Sequence, residues 1–353
     1  MNKVEMYVWI ENQLREFFTY MQRFFLINGG RDLGKTYSLQ KILVESALRR
    51  KKEICYVVRN KDELDAGIVY DAFEKVFRNE FPDYEFVSKG DTVYLREGKV
   101  LTKLIRGMAL RKAQDYKKHA YPLIDYMLFD EYMIEKDTPM TYISGYKEPK
   151  LLLSIYDTID RGEDRVRCFL LGNTTVYYNP YHIWDTFAPL FRTQAKKGEI
   201  KKIANAVFWR AEPPEDVKEL RRQTAFAQMT EGTDYGNFAL EGEYEDDITA
   251  IEPMPSGAKC LFALAYNDII ISVFKGTAET SCYWLSSARD TSKPVYAVRG
   301  NDVKQGIPSF KTSAYYLMFE FMWNSGKVFF ANQKSKTMAQ EFLWYILSSY
   351  RKV

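Results

Sequence analysis

Eight consecutive residues, Gly29-Gly30-Arg31-Asp32-Leu33-Gly34-Lys35-Thr36, fit the spacing G-x-x-x-x-G-K-[ST]. Each residue type in that spacing has a task beside a phosphate chain. Gly29, Gly30 and Gly34 let the backbone curl until its N–H groups face phosphate oxygens. Lys35 reaches the β- and γ-phosphates, and the Thr36 hydroxyl ligates Mg²⁺. Arg31, inside the loop, is placed to fold back on the same phosphates. A second constellation is Met127-Leu128-Phe129-Asp130-Glu131, an apolar run that ends in two carboxylates. Asp130 would stand beside the Mg²⁺ held near Thr36, and Glu131 would polarise the attacking water as general base. The expected cofactors are therefore ATP and Mg²⁺.

Three further side chains have both a chemical and an ordinary reading. Asn173, just after the run Arg167 to Leu171, can donate to the γ-phosphate or the water; asparagine is also a common turn residue after a strand. Arg161, at a helix end beside Gly162, offers a projecting guanidinium for transition-state charge. Its ordinary role is a cation complementing the negative end of the helix dipole. Arg165 and Arg167 read as structural.

Elements at the right places must position these groups. Phe24 to Ile27 reads as a buried strand leading into the glycine loop. A helix follows with Leu39, Ile42, Leu43 and Ala47 on one face. Strand, loop and helix in that order is the context a phosphate loop requires. Further strands are read at Glu53 to Arg59, Val100 to Arg106, Leu123 to Phe129 and Arg167 to Leu171, with a hairpin over Glu85 to Leu95. Helices are read from about 4 to 23, around Val69 to Phe77, and from Pro149 to Ile159, with Gly162 as C′ residue. Lys112 to Tyr121 reads as an exposed loop. Beyond Pro213-Pro214 the chain turns polar, with a small helical segment at Asp216 to Met229. After Pro253-Met254-Pro255 come three short strands (Cys260–Tyr266, Ile269–Lys275, Ser281–Ser286). A helix (Ser313–Trp323), a strand (Lys327–Ala331) and a last helix (Thr337–Tyr350) follow. The expected division is 1–208, 209–257 and 258–353.

Composition narrows the classes. The 353 residues, 46% hydrophobic, are enough for two domains with real cores. No run is long and apolar enough to span a membrane, and the N-terminus lacks a signal-peptide core, so a cytosolic protein is expected. Four scattered cysteines and two histidines give no zinc pattern. The net charge of +3 permits nucleic-acid binding without arguing for it. The basic runs Arg49 to Lys52 and Lys196 to Lys202 read as solvated surface.

The stretches GGRDLGKT, LFDEYMIEKD and DTIDRGEDRVRCFLLGNTTVYYNPY resemble the DNA-packaging (genome encapsidation) ATPases of small picovirus-type podophages. YVVRNKDEL, EFPDYEFVSKG and GTDYG extend the similarity along nearly the whole chain. The resemblance implies an α/β fold: a P-loop NTPase domain of the additional-strand, catalytic-glutamate class, a small linker domain and an RNase H-like C-terminal domain. It implies a ring-shaped motor, a pentamer, that drives double-stranded DNA into a procapsid at its portal vertex in the host cytoplasm, and leaves open whether a packaging RNA is a further partner. By motif, Arg161 becomes a finger acting on a neighbour's ATP, Lys117 a second trans-acting cation, and Lys61 a contact to DNA phosphates in the central pore. A two-metal nuclease needs several converging carboxylates. The strand Cys260 to Tyr266 has none, and Asp290 alone cannot hold two metals, so the nuclease is expected to be vestigial. The alternatives are a terminase large subunit with an active nuclease, and a nucleotide-gated scaffold without turnover; the Asp130-Glu131 pair counts against the scaffold.

Overall fold

The structure is a computed structural model. It describes all residues except 1–2, 65–66, 136–141, 144–146, 176, 178, 184–185, 192–194, 245–249, 267–268, 278–281, 300–302, 304–305, 341 and 348–353. Two compact units emerge: Met1–Ile143 with Lys147–Glu245, and a second that holds Asp246–Val353.

The first unit opens with helix α1 (Lys3–Phe17), strand β1 (Phe24–Gly29) and helix α2 (Lys35–Arg50). Strand β2 (Glu53–Val58), helix α3 (Ile68–Glu80) and strands β3 (Glu85–Lys89), β4 (Thr92–Glu97) and β5 (Val100–Ala109) follow. Next come α4 (Ala113–Tyr116), β6 (Ile124–Phe129), α5 (Lys147–Asp160), β7 (Arg167–Asn173) and α6 (Pro180–Ile183). Strands β8 (Ile200–Ile203) and β9 (Ala206–Arg210) close the sheet, and helices α7 (Glu215–Arg222), α8 (Ala225–Thr230) and α9 (Asp234–Glu241) end the unit.

These strands form one nine-stranded sheet in the order β3-β4-β5-β2-β6-β7-β1-β9-β8. The six strands from β5 to β9 run parallel, and antiparallel hairpin partners flank them at both edges. Continuous apolar runs such as Ile124–Phe129 suit this position, because a parallel strand is covered on both faces. Ile10 and Leu14 of α1, Leu39 and Leu43 of α2 and Phe73 of α3 cover one face. Leu152, Ile155 and Ile159 of α5 and Tyr181 of α6 cover the other. Strand β7 lies between β1 and β6 and is parallel to both. That is the additional strand expected between phosphate loop and acidic strand. The loops that carry chemistry gather at the carboxyl ends of the parallel strands, where open α/β sheets place their ligands.

Several local expectations change. The first helix stops at Phe17. The segment expected as an exposed loop contains α4, whose Tyr116 hydroxyl accepts the Ala109 N–H at 2.9 Å. Part of the lysine-rich run is edge strand β8, paired with the fully buried β9. Strand β9 runs to Arg210, across the expected boundary at 208, and α7 to α9 belong to the first unit.

In the second unit, β10 (Lys259–Tyr266), β11 (Ile269–Lys275) and β12 (Tyr283–Ser286) form an antiparallel meander. Strand β13 (Val295–Ala297) joins β10 in parallel, and helix α10 (Tyr316–Asn324) follows it. Strand β14 (Val328–Phe330) joins β12 in parallel, and α11 (Gln333–Gln340) and α12 (Leu343–Ile346) close the described chain. Residues 341 and 348–350 of the expected last helix and Ser281 of the expected third strand lie outside the described residues.

Candidate functional site

The glycine loop has the shape its sequence demands. Asp32 and Gly34 take positive φ (55° and 78°), and Gly34 is the N-cap of α2. Gly34 also lies under an aromatic ring: a Cβ there would come within 2.2 Å of Tyr7. Tyr7 of α1 stacks on Tyr37 with centroids 5.7 Å apart and lines the same cleft as the loop. Tyr7 is not legible as a cleft residue in the sequence, because a tyrosine on an amphipathic helix carries no chemical signal of its own.

Lys35 is buried, and its Nζ donates to Gly29 O at 3.1 Å, Gly30 O at 2.7 Å and Asn173 Oδ1 at 3.4 Å. Burial, with Asp130 and Asp32 opposing it and Arg221 adding to it, lowers the Lys35 ammonium to about 8. Across the cleft, the Thr36 hydroxyl donates to Asp130 Oδ1 at 3.2 Å. Burial, followed by the charge of Glu131, raises the Asp130 carboxyl to about 6. A hydroxyl and a carboxylate that meet at this distance are hard oxygen donors of the kind Mg²⁺ takes. The donor set therefore fits the ion expected with a nucleotide.

Glu131 is exposed and has a positive φ of 55°, an uncommon conformation for a residue with a Cβ. Its neighbours enforce it. Its N–H donates to Asp130 Oδ1 at 3.1 Å, while Arg59, just past β2, donates to Glu131 O at 2.8 Å and Tyr132 O at 2.6 Å. The Tyr132 N–H pairs with Leu171 O at 3.0 Å. Arg59 and Glu148 are both buried and meet at 3.0 Å; Tyr181 Oη and the Ile143 N–H supply two more bonds to Glu148. Arg59, Glu148 and Tyr181 thus form a polar brace under the acidic turn. Gly172 leaves room for it: a Cβ there would meet the Tyr132 ring at 2.9 Å. Neither Arg59 nor Glu148 was singled out in the sequence; the one available hint is a strand ending in Arg59.

Asn173 ends β7 between two loop residues. Besides accepting from Lys35, it donates to Glu135 Oε1 at 3.2 Å, and Glu135 also pairs with Arg31. Arg31 and then Asn173 hold the Glu135 carboxyl below its ordinary range, with burial opposing. Lys35, Asn173, Glu135 and Arg31 therefore form a chain across the cleft of the glycine loop.

The other three expected residues stand apart from this cleft. Arg161 is exposed, takes φ 51° at the end of α5 and donates to His119 O at 3.0 Å. It is itself the left-handed cap residue; Gly162 follows with φ 76°. Lys117, two residues before His119, is exposed at the same corner. Lys61 begins a single 3₁₀ turn after β2, in a second cleft with Asp91, Lys112 and Asp115. Neither Arg161 nor Lys117 lines the cleft of the glycine loop in its own chain.

Among the described residues of the second unit, no strand of the meander carries an acidic side chain. Asp290 is partly exposed and accepts from Ser292 N and Oγ at 3.0 and 2.6 Å, as a turn residue does. Among the described residues no cluster of three His, Cys, Asp or Glu side chains could hold a metal ion.

A profile of the podovirus DNA encapsidation protein (Gp16) family matches residues 9–346. The chain belongs to that family. It is 28% identical to a DNA packaging protein of Bacillus phage B103 over 322 residues, 89% of this chain and 94% of the relative. It is 29% identical to the DNA packaging protein of Bacillus phage phi29 over 320 residues, 89% and 91% of the two chains. The structure superposes on a chain of the phi29 viral genome packaging motor assembly with a TM-score of 0.68 and 25% identity, covering 94% of this chain and 98% of that one. A chain of the phi28 gp11 DNA packaging motor gives 0.59 at 17% identity and shares the fold. No helix among the described residues is long and apolar enough to cross a membrane.

Proposed function

We propose that this encapsidation protein is an ATP-driven motor that translocates double-stranded DNA into a procapsid. The observation that carries the reading is Glu131, held by Asp130 and Arg59 at the mouth of a phosphate loop, in a member of a DNA encapsidation family. The loop N–H groups and Lys35 would bind the β- and γ-phosphates. Mg²⁺, held through Thr36 and Asp130, would neutralise phosphate charge. Glu131 takes the proton of the attacking water, and Asn173, already bonded to Lys35, orients the γ-phosphate side of the cleft. Release of Lys35 from its two carbonyls is the local event that phosphate binding requires.

Arg161 and Lys117 share an exposed corner outside their own cleft, which supports their acting on a neighbour's nucleotide in a ring, a pentamer in this reading. Lys61 lies two residues beyond Arg59, so a DNA phosphate at Lys61 and the backbone of Glu131 are joined by a short path. In functional terms residues 1–208 carry the ATPase chemistry, 209–257 are the link, whose helices α7 to α9 belong to the first compact unit, and 258–353 are a domain that grips DNA or docks onto the procapsid. The lone turn residue Asp290 argues against an active nuclease. Steady-state ATP hydrolysis with and without double-stranded DNA tests the proposal: a motor hydrolyses ATP and responds to DNA, whereas a nucleotide-gated scaffold binds ATP without turnover.

A further inference from the structure

The phosphate loop has an outer side as well as the side that faces phosphates. Its outer side rests on the end of α9. The Arg31 N–H donates to Ala239 O at 3.0 Å, and a Cβ on Gly30 would meet the same oxygen at 2.9 Å. The last carbonyls of a helix lack partners within it and carry its negative dipole end. Here Arg221, a buried residue of α7, supplies the partners: its guanidinium donates to Ala239 O and Leu240 O, each at 2.9 Å. The same guanidinium donates to Arg31 O, inside the phosphate loop. Arg210, at the end of β9 in register with Asn28 of β1, takes the carbonyl two residues further on, Gly242 O, at 3.0 Å. The helix end is thereby fixed to the sheet, and Arg221 fixes the loop to the helix end.

We propose that Arg221 is a positioning residue for nucleotide binding, which holds the Gly30–Arg31 backbone in its phosphate-binding shape from the side away from the ligand. The proposal rests on the reading of this loop as an ATP site. Without the guanidinium, Arg31 O and two helix-end carbonyls lose a buried charged donor, and the loop samples shapes that do not bind. Apparent affinity then falls with the fraction of loop in the competent shape. The Glu131 turn, which Arg221 does not touch, keeps its geometry, so turnover at saturation survives.

The test is Mg-ATP binding and steady-state hydrolysis by the full chain for wild type, Arg221→Gln, Arg221→Lys, Gly30→Ala and Lys35→Ala. The exposed neighbour Arg222→Gln serves as a surface control. Arg221→Gln should raise Kd and KM by about tenfold or more, the scale of one charge-assisted hydrogen bond, and leave kcat within about twofold. Arg221→Lys should fall between, because it keeps the charge and part of the bonding. Gly30→Ala presses on the same seam while every donor remains, and should also raise Kd. A folded Arg221→Gln with wild-type Kd overturns the proposal. If that variant fails to fold, folded Arg221→Lys and Gly30→Ala with unchanged Kd overturn it equally. If wild type and Lys35→Ala bind ATP alike, the reading of the site itself has failed, and Arg221 with it; normal loss in Lys35→Ala but none at Arg221 or Gly30 rejects Arg221 alone.

Discussion

Replacing Arg59 by Met separates the two things its guanidinium does. Arg59 and Glu148 are 3% and 0% exposed, so the substitution leaves a buried carboxylate without its cation. Breaking such a pair from one side costs about 3–5 kcal/mol. At about 2–4 °C per kcal/mol for a unit of this size, the melting transition of the first unit should drop by about 6–20 °C. The loss should depend on pH. Burial raises the Glu148 carboxyl above its ordinary range, and Arg59 opposes that rise, so removing Arg59 raises it further. A carboxyl whose folded pKa exceeds its unfolded value binds more protons when folded, and stability declines as pH rises through the folded pKa. The deficit of the variant should therefore shrink toward acid pH and widen above it. A second substitution, Glu148→Gln, should return much of the stability by removing the stranded charge. It should not return kcat, which we expect to fall at least about tenfold, because the bonds to Glu131 O and Tyr132 O stay missing. Thermal melts at several pH values and kcat on the two single variants and the double supply the assay. A deficit under about 1 kcal/mol, or a double variant with restored kcat, would refute the brace.

Three further outcomes are expected. Arg161→Ala should cost the assembled ring about 10³ or more in hydrolysis rate but cost an isolated monomer little, and rings mixed with Glu131→Gln subunits should regain activity that neither variant has alone; no recovery in confirmed mixed rings removes the trans assignment. Lys61→Ala should weaken DNA binding without sequence preference and reduce the salt-dependence slope by about 1; an unchanged slope places Lys61 off the DNA. The full chain should not nick plasmid with Mn²⁺, and nicking abolished by Asp290→Ala would show a working nuclease.

The legible parts of this chain were those where one residue type has one use. Gly34, Lys35 and Thr36 declare the loop, and an apolar run that stops at Asp130 declares its partner strand. The family's stretches extended that reading to the packaging fold. Strand β9 was missed because Ala206–Arg210 is short and follows a lysine-rich run that reads as surface; only its place beside β1 makes it core. Arg59, Arg210 and Arg221 were missed for a related reason. Arginine is a surface residue by default, and its burial is decided by carbonyls and carboxylates brought from elsewhere in the chain. The same limit hides the packing of α7 and α9 on the glycine loop, because the bonds that hold them there come from side chains that look solvated.

The central claim is that Glu131 turns ATP binding into DNA movement. The direct measurement is packaging by motors assembled on procapsids with Glu131→Gln, read as DNA protected from nuclease, alongside Mg-ATP binding by the same variant. The account predicts binding near wild type, because Asp130, Thr36 and Lys35 remain, with turnover down about 10²-fold or more and no protected genome. Packaging at near-normal rate by Glu131→Gln motors would contradict it.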